Sequence, residues 1–163
     1  FYEEEPNRLL QLQYNYYSGD DVFPHLLWKN FINPLSVVAR RKVFDEYGYF
    51  DEAMRRSEDW EYWVRAAYRG ARFCFLPEAL AKYRMRKGSL TNDRSSKYME
   101  KKLAVGIFRQ LKKNMTREEC RRYHINCIIA YHWVKSAYVY AAQRIFFLRY
   151  IQASLQKARF GDI

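Results

Sequence analysis

Two adjacent acidic residues, Glu58 and Asp59, are the side chains of this sequence best placed to do chemistry. They follow Ser57, whose hydroxyl is suited to accept a hydrogen bond from the free amides at a helix start. The positive end of a helix dipole also favours carboxylates in the first turn. A carboxylate held in this way can take the proton of a bound hydroxyl group. The alternative is that both acids only cap the helix, since acids are common in first turns.

The helix that would position these acids is predicted from Ser57 to Gly70. Gly70 stands where a residue in the left-handed conformation commonly ends a helix. Apolar residues recur at i, i+3, i+4 and i+7, which indicates one buried face. The residues of this face are Trp60, Trp63, Val64 and Ala67.

Short helical and β-type patterns alternate through the first part of the chain. Helices are predicted at 22–30, entered through Pro24, and at 40–47, closed by Gly48. Short segments that are β-branched or of alternating polarity and end at turn residues are predicted to be strands. These segments are 35–39, 72–76 and 79–85. Residues 1–94 are therefore predicted to contain both helices and short strands.

From about residue 95 the pattern becomes helical throughout. One helix is predicted over 97–113, and Thr116 with Glu119 forms a capping box that predicts the start of another. The helical pattern continues to residue 160, and we expect it to fold back on itself near 144–150. Residues 95–163 are therefore predicted to be a helical extension.

The net charge of +11 is concentrated in this extension. Residues 95–163 contain 14 Lys and Arg against 4 Asp and Glu, whereas residues 1–94 contain 15 against 14. A block this basic favours an anionic partner, either a phospholipid surface, nucleic acid or an acidic protein face. No apolar run is long enough to cross a membrane, and three cysteines without metal-type pairing indicate a reducing compartment. Because the chain begins at Phe1, it is expected to be a piece of a longer protein.

Other residues that could carry chemistry lack the required partners. Cys120, His124 and Cys127 lie at i, i+4 and i+7 of one helix, but a zinc ion would need a fourth ligand from elsewhere. His25 and His132 have no nucleophile or acid at motif spacing. The sequence also contains no glycine-rich phosphate loop and no Asp-x-Asp pair for a divalent metal. No metal ligand is therefore assigned within this chain.

Six short motifs follow one another between Asn33 and Asp93. They are Asn-Pro-Leu-Ser-Val-Val-Ala-Arg-Arg (33–41), Tyr-Gly-Tyr-Phe-Asp-Glu (47–52), Ser-Glu-Asp-Trp (57–60), Leu-Pro-Glu (76–78), Leu-Ala-Lys-Tyr-Arg (80–84) and Gly-Ser-Leu-Thr (88–91). In this order they resemble the acceptor-side half of family 2 glycosyltransferases of the GT-A fold, over residues 18–93. The specificity of the likeness lies in the order of the motifs. The resemblance implies that residues 1–94 are the C-terminal half of an α/β GT-A domain, with 95–163 a mainly helical extension.

The resemblance also implies a role for particular residues. Asp59 falls at the position of the catalytic base of inverting sugar transfer, and Glu58 and Trp60 fall where the acceptor is bound. Relatives often carry a histidine where this chain has Arg86, so a metal-ligand role there does not carry over. The residues implied to contact the donor diphosphate are Tyr83, Arg84, Arg86 and Ser89.

The parent protein is expected to be an inverting glycosyltransferase of the hexosyltransferase type, as in cell-envelope polysaccharide synthesis. It would move a sugar from a nucleotide-sugar to a hydroxyl acceptor, either a sugar or a lipid-linked sugar. A divalent metal, Mn²⁺ or Mg²⁺, is expected, with ligands mostly outside this chain, so this fragment alone should be inactive. We expect a cytoplasmic protein, peripheral at the inner face of the membrane.

Two questions stay open at the level of sequence. The basic extension either lies on an anionic membrane surface or packs as a structural element against the catalytic part. The alternative function is a non-catalytic basic helical module that binds nucleic acid or acidic partners. No specific nucleic-acid motif is present.

Overall fold

The computed structural model of the chain describes residues 17, 19, 22–78, 80–82 and 94–160, with side chains from 99 to 145 in the last range. These residues form six α-helices and one short 3₁₀ helix. The α-helices are α1 (Val22–Leu26), α2 (Arg41–Tyr47), α3 (Glu58–Tyr68), α4 (Arg94–Lys113), α5 (Arg117–Arg122) and α6 (Ile125–Phe160), and the 3₁₀ helix is Pro34–Ser36.

The α/β architecture predicted for residues 1–94 is wrong, and the described chain is not an α/β GT-A domain. The only β-type pairing among the described residues is an isolated antiparallel bridge between Gly19 and Phe73. The strand predicted over 35–39 is not formed, because its first two residues belong to the 3₁₀ helix Pro34–Ser36. Residues 80–82 belong to no helix or strand, and 83–85 lie outside the described residues. A strand is stable only when a neighbour pairs its backbone groups along its length. Among the described residues these short segments have no such pairing beyond the single bridge at Phe73.

The ends predicted for α2 and α3 are confirmed, whereas the helix predicted over 22–30 ends four residues early, at Leu26. Gly48 follows α2 with φ of 86°, and Gly70 follows α3 with φ of 96°. Beyond α3, the Ala71 amide donates to the Ala66 carbonyl (2.9 Å) and the Gly70 amide donates to the Ala67 carbonyl (3.1 Å). This pair of bonds is the Schellman pattern that glycine favours.

The capping box predicted ahead of α5 is also confirmed. The Thr116 side chain accepts from the Glu119 amide (3.2 Å), while the Glu119 carboxylate accepts from the Thr116 amide (2.7 Å). Two amides at the helix start are therefore satisfied by residues only three apart.

α6 is a single helix of 36 residues, about 54 Å long at 1.5 Å per residue. The reversal predicted near 144–150 is wrong, because no glycine or proline interrupts the helical hydrogen bonds there. The chain reverses earlier, between α4 and α6, where His124 has a positive φ of 49°. No helix among the described residues has both the length and the apolar character needed to cross a bilayer.

One hydrophobic core joins the first half of the chain to the basic extension. Buried residues of α1, α3, α4 and α6 belong to the same cluster. Trp60 is central to it, with ring centroids 5.6 Å from Phe108 of α4 and 5.5 Å from His132 of α6. The domain boundary between residues 94 and 95 stays a prediction, but the packing that anchors α3 comes from both sides of it.

Candidate functional site

Asp59 lies half-buried in the first turn of α3, and both of its carboxylate oxygens are held. Oδ2 accepts a hydrogen bond from Nδ2 of Asn30 (3.0 Å), and Oδ1 accepts from the backbone amide of Trp60 (2.7 Å). One of these bonds is local to the helix, and the other comes from a residue 29 positions away. The carboxylate is therefore oriented by the tertiary structure as well as by its own helix.

Asn30 follows the end of α1 and is the partner of Asp59 that sequence reasoning missed. Its amide nitrogen must face the carboxylate, because an amide oxygen in that place would repel it. The other amide atom, Oδ1, is buried and has no hydrogen-bond partner among the described residues. An unsatisfied buried acceptor costs about 1–3 kcal/mol. The position of Asn30 is thus set by its bond to Asp59 and not by its own oxygen.

The start of α3 differs in detail from the predicted side-chain cap. Ser57 adopts the left-handed conformation, with φ of 58° and ψ of 19°, and its hydroxyl makes no capping hydrogen bond. The prediction of a Ser57 side-chain cap is therefore wrong, and the Asp59 carboxylate satisfies the Trp60 amide instead. A non-glycine residue in this conformation costs roughly 1–2 kcal/mol, and such strain is often found beside functional sites.

Trp60 anchors the start of α3 in the core. Its side chain is 0% exposed, and Nε1 donates to the Leu26 carbonyl (2.7 Å). The Lys101 ammonium group lies 5.6 Å from the centroid of the indole ring. The acceptor contact implied for Trp60 is not available in this arrangement, because its ring is covered on every side. Trp60 therefore affects Asp59 only indirectly, because it fixes the start of the helix that carries the carboxylate.

Arg65 holds the middle of α3 against the loop that follows α2. Its guanidinium donates to the carbonyls of Tyr47 and Tyr49 and pairs with the Glu61 carboxylate. A Cβ at Gly48 would lie 3.2 Å from Nη1 of this arginine. The Tyr-Gly-Tyr motif therefore contributes backbone carbonyls, and its glycine leaves space for the guanidinium.

His132 connects α6 to the turn after α1. Its ring is 0% exposed, and Nε2 lies 2.9 Å from the Leu27 carbonyl, so the Nε2–H tautomer donates there. The other nitrogen, Nδ1, is buried without a partner among the described residues. Burial lowers the pKa of His132 below 6.5, and the bond to Leu27 opposes that shift only in part. A neutral His132 thus packs edge-on against Trp60 and links the extension to the Asp59 region.

Of the other site residues that the sequence predicts, the structure describes only Glu58. Glu58 is half-buried beside Asp59 in the first turn of α3. The residues implied to bind the donor diphosphate, Tyr83, Arg84, Arg86 and Ser89, lie outside the described residues. In the described part of the chain, no group of three or more His, Cys, Asp or Glu is arranged to hold a metal ion.

Comparison of the chain with protein-family models, with curated proteins and with solved structures found no match. The functional interpretation therefore depends on the motif series and on the geometry around Asp59. That geometry offers a half-buried carboxylate on a well-anchored helix, which suits proton transfer from a bound hydroxyl group.

Proposed function

We propose that this chain is the acceptor-side part of a glycosyltransferase in which Asp59 is the general base. The observation that carries the proposal is the Asp59 carboxylate, which Asn30 and the Trp60 amide hold at the start of an anchored helix. A general base must be fixed within hydrogen-bond reach of the proton that it removes. The motif series from Asn33 to Asp93 supports sugar transfer as the reaction.

In the proposed reaction the acceptor hydroxyl oxygen attacks the anomeric carbon of a nucleotide-sugar. The new C–O bond forms as the bond from that carbon to the diphosphate breaks, and the nucleoside diphosphate leaves with the bonding electrons. Asp59 takes the hydroxyl proton during the attack, and the configuration at the anomeric carbon inverts. The described residues contain no set of ligands for Mn²⁺ or Mg²⁺, so no step is assigned to a metal.

The partner that we propose for the basic extension is an anionic membrane surface. Four exposed apolar residues recur at i, i+4, i+7 and i+11 on the side of α6 that faces away from the core. Side-chain exposures along this outer stripe reach 72%. The outer stripe consists of Val134, Tyr138, Ala141 and Ile145.

The charges of α6 fit the same partner. Between residues 125 and 145 the only charged residues are Lys135 and Arg144. On a helix of 3.6 residues per turn they fall about 90° to either side of the middle of the outer stripe. Apolar residues flanked by cations are typical of helices that lie on acidic lipid. This surface would bring the extension, and α3 with it, to a lipid-linked acceptor.

The test of the catalytic proposal is the turnover of the Asp59→Asn variant in the full-length parent protein. This substitution keeps the size of the side chain and removes its basicity. Near-normal turnover would leave Asp59 as a helix cap and favour the non-catalytic alternative.

A further inference from the structure

A concavity lies where α4, α5 and α6 meet, away from Asp59. It has a volume of about 510 Å³ and is lined by cationic side chains of two helices and by the residue that connects α5 to α6. Tyr68, at the end of α3, donates to the Asn114 carbonyl beside this corner (2.9 Å). Asp59 lies nine residues earlier in α3, about 14 Å along its axis. The residues of the cavity that carry the argument are Lys112, Arg117, Arg121 and His124.

The charge of this cavity is unbalanced. No carboxylate lines it, and no ion pair among the described residues joins Arg117 or Arg121 to an acid. The two arginines lie at i and i+4 on α5, a spacing at which like charges destabilise a helix. Lys112 of α4 adds a third cation. Repulsion among these groups would be relieved by a bound anion.

Neither acid of α5, Glu118 or Glu119, lines the cavity, and Glu119 is already engaged elsewhere. The Glu119 carboxylate accepts hydrogen bonds from the Thr116 amide and from the Tyr68 hydroxyl (3.2 Å). The bonds from Thr116 lower the pKa of Glu119, so it stays ionised and bound to these donors. It is therefore not free to neutralise the cavity.

The turn between α5 and α6 adds to the positive character of the cavity. His124 takes a left-handed conformation, and α6 begins at the next residue. Asn126 and Cys127, in the first turn of α6, also line the cavity. The start of this long helix contributes a partial positive charge on the same side as the arginines.

We propose that this cavity binds the phosphate groups of a diphosphate or of a phosphate monoester. Guanidinium groups match phosphate oxygens in pairs, and an ammonium group adds a point charge. The concavity is open to solvent, so it accommodates a diphosphate or a phosphate attached to a larger group. The phosphate could be soluble or part of a lipid headgroup, and both sources present the same chemistry.

Calorimetric titration of the full chain with inorganic pyrophosphate in about 0.15 M salt tests the proposal. We expect saturable binding to the wild type and at least about tenfold weaker binding to the Arg117→Gln/Arg121→Gln variant, because two charge-assisted contacts are lost. Glutamine has a helix propensity close to that of arginine, so α5 should stay folded. Circular dichroism of the variant verifies this.

The matched control is Lys102→Gln/Arg109→Gln, which removes the same charge from exposed positions of α4 outside the cavity. We expect this variant to bind pyrophosphate within about twofold of the wild type, since screened surface charges contribute little. Equal weakening in both variants would show only a diffuse response to charge and would overturn the proposal. Alkylation of Cys127, which should slow when pyrophosphate fills the cavity, is a second readout.

Vesicles distinguish the two sources of phosphate. Phosphatidylcholine vesicles that contain phosphatidic acid are sedimented with the wild type and with the Arg117→Gln/Arg121→Gln variant. Loss of binding in the variant, with displacement of the wild type by pyrophosphate, would identify a lipid headgroup. Pyrophosphate binding with equal sedimentation of both proteins would identify a soluble ligand. Failure of the wild type to bind either pyrophosphate or these vesicles would overturn the proposal. The Asp59→Asn variant should bind pyrophosphate as the wild type does, because Asp59 lies outside the cavity.

Discussion

At the scale of single residues, Asp59 combines a local and a distant contact. The Trp60 amide satisfies one carboxylate oxygen as a helix cap would, and Asn30 satisfies the other from outside the helix. A residue that only capped α3 would need the first bond and not the second. Because of the bond from Asn30, we favour a positioned general base over a simple helix cap as the role of Asp59.

Asp59→Asn should lower the turnover of the proposed glycosyltransferase by roughly 10²–10⁴, the range for loss of acid–base catalysis. Stability should change little. The asparagine oxygen can still accept the hydrogen bond from the Trp60 amide, and a flip of the Asn30 amide lets its Oδ1 accept from the new NH2 group. Steady-state kinetics and denaturant unfolding measure the two effects. Asp45→Asn is the control, since Asp45 is exposed on α2 and undergoes the same chemical change. A comparable fall in turnover for the control would contradict a specific role for Asp59.

At the scale of the elements, two glycines predict opposite effects of the same substitution. Gly48→Ala should destabilise the fold by about 1–3 kcal/mol, because φ of 86° with ψ of −174° is a backbone conformation that residues with a Cβ atom rarely adopt. The new atom would also lie 3.2 Å from Nη1 of Arg65, the residue that ties α3 to the loop after α2. Gly106→Ala should stabilise by about 0.5–1 kcal/mol, since Gly106 lies inside α4 with open space around it. Urea unfolding of both variants checks the pair, and destabilisation by both would show that α4 is packed more tightly there.

The contact of α6 with the turn after α1 predicts a loss of stability in acid. The pKa of buried His132 is lowered below the value of 6.5 that it has in the unfolded chain. At a pH between the folded pKa and 6.5, the unfolded state binds more protons than the folded state. The free energy of unfolding contributed by His132 should therefore be complete above pH 6.5 and decline as the pH falls towards the folded pKa. Denaturant unfolding at a series of pH values measures this decline.

Variants identify the group responsible for this pH dependence. His132→Phe should flatten the decline below pH 6.5 because no imidazole is left to titrate in the core. His124→Asn, which replaces an exposed histidine with a residue that tolerates the left-handed conformation, should keep the decline. A decline that survives in His132→Phe would assign the effect to other groups.

At the scale of the whole molecule, the outer stripe of α6 predicts binding to acidic lipid. The chain should sediment with anionic vesicles, and each engaged cation should contribute roughly 1 kcal/mol to this binding. Salt screens these charges, so binding should weaken steeply as the salt concentration rises. Val134→Glu/Tyr138→Glu should reduce this binding by placing two acids in the apolar stripe. Leu76→Glu/Leu80→Glu is the matched control, because both leucines are exposed and lie outside α6. Nucleic acid is titrated in parallel, since any basic surface binds it at low salt.

Two outcomes would contradict the membrane proposal. If the wild type ignores anionic vesicles at physiological ionic strength, the outer stripe must be covered by something other than lipid. If Val134→Glu/Tyr138→Glu and its control lose binding equally, the apolar stripe has no specific part in it. Tighter binding to nucleic acid than to vesicles at the same salt concentration would favour the non-catalytic basic module.

The sequence by itself determined the ends of α2 and α3 and the start of α5, because the signals for these ends lie within a few residues of them. Gly48 and Gly70 stop α2 and α3 as predicted, and the reciprocal bonds of Thr116 and Glu119 start α5. The first turn of α3, with its two acids, was also found from local pattern, although the cap by Ser57 was not. These features depend on backbone conformation and on neighbours along the chain.

Only the tertiary structure decided the remainder, because it depends on contacts between distant residues. A segment such as 72–76 becomes a strand only if another strand pairs with it, and its composition cannot supply that partner. Asn30 meets Asp59 across 29 residues, and His132 meets Leu27 across 105. Such contacts leave no periodic mark in the sequence. For the same reason, only packing decided which face of α6 is buried, at Ile128 and His132, and which is exposed, at Val134 and Tyr138.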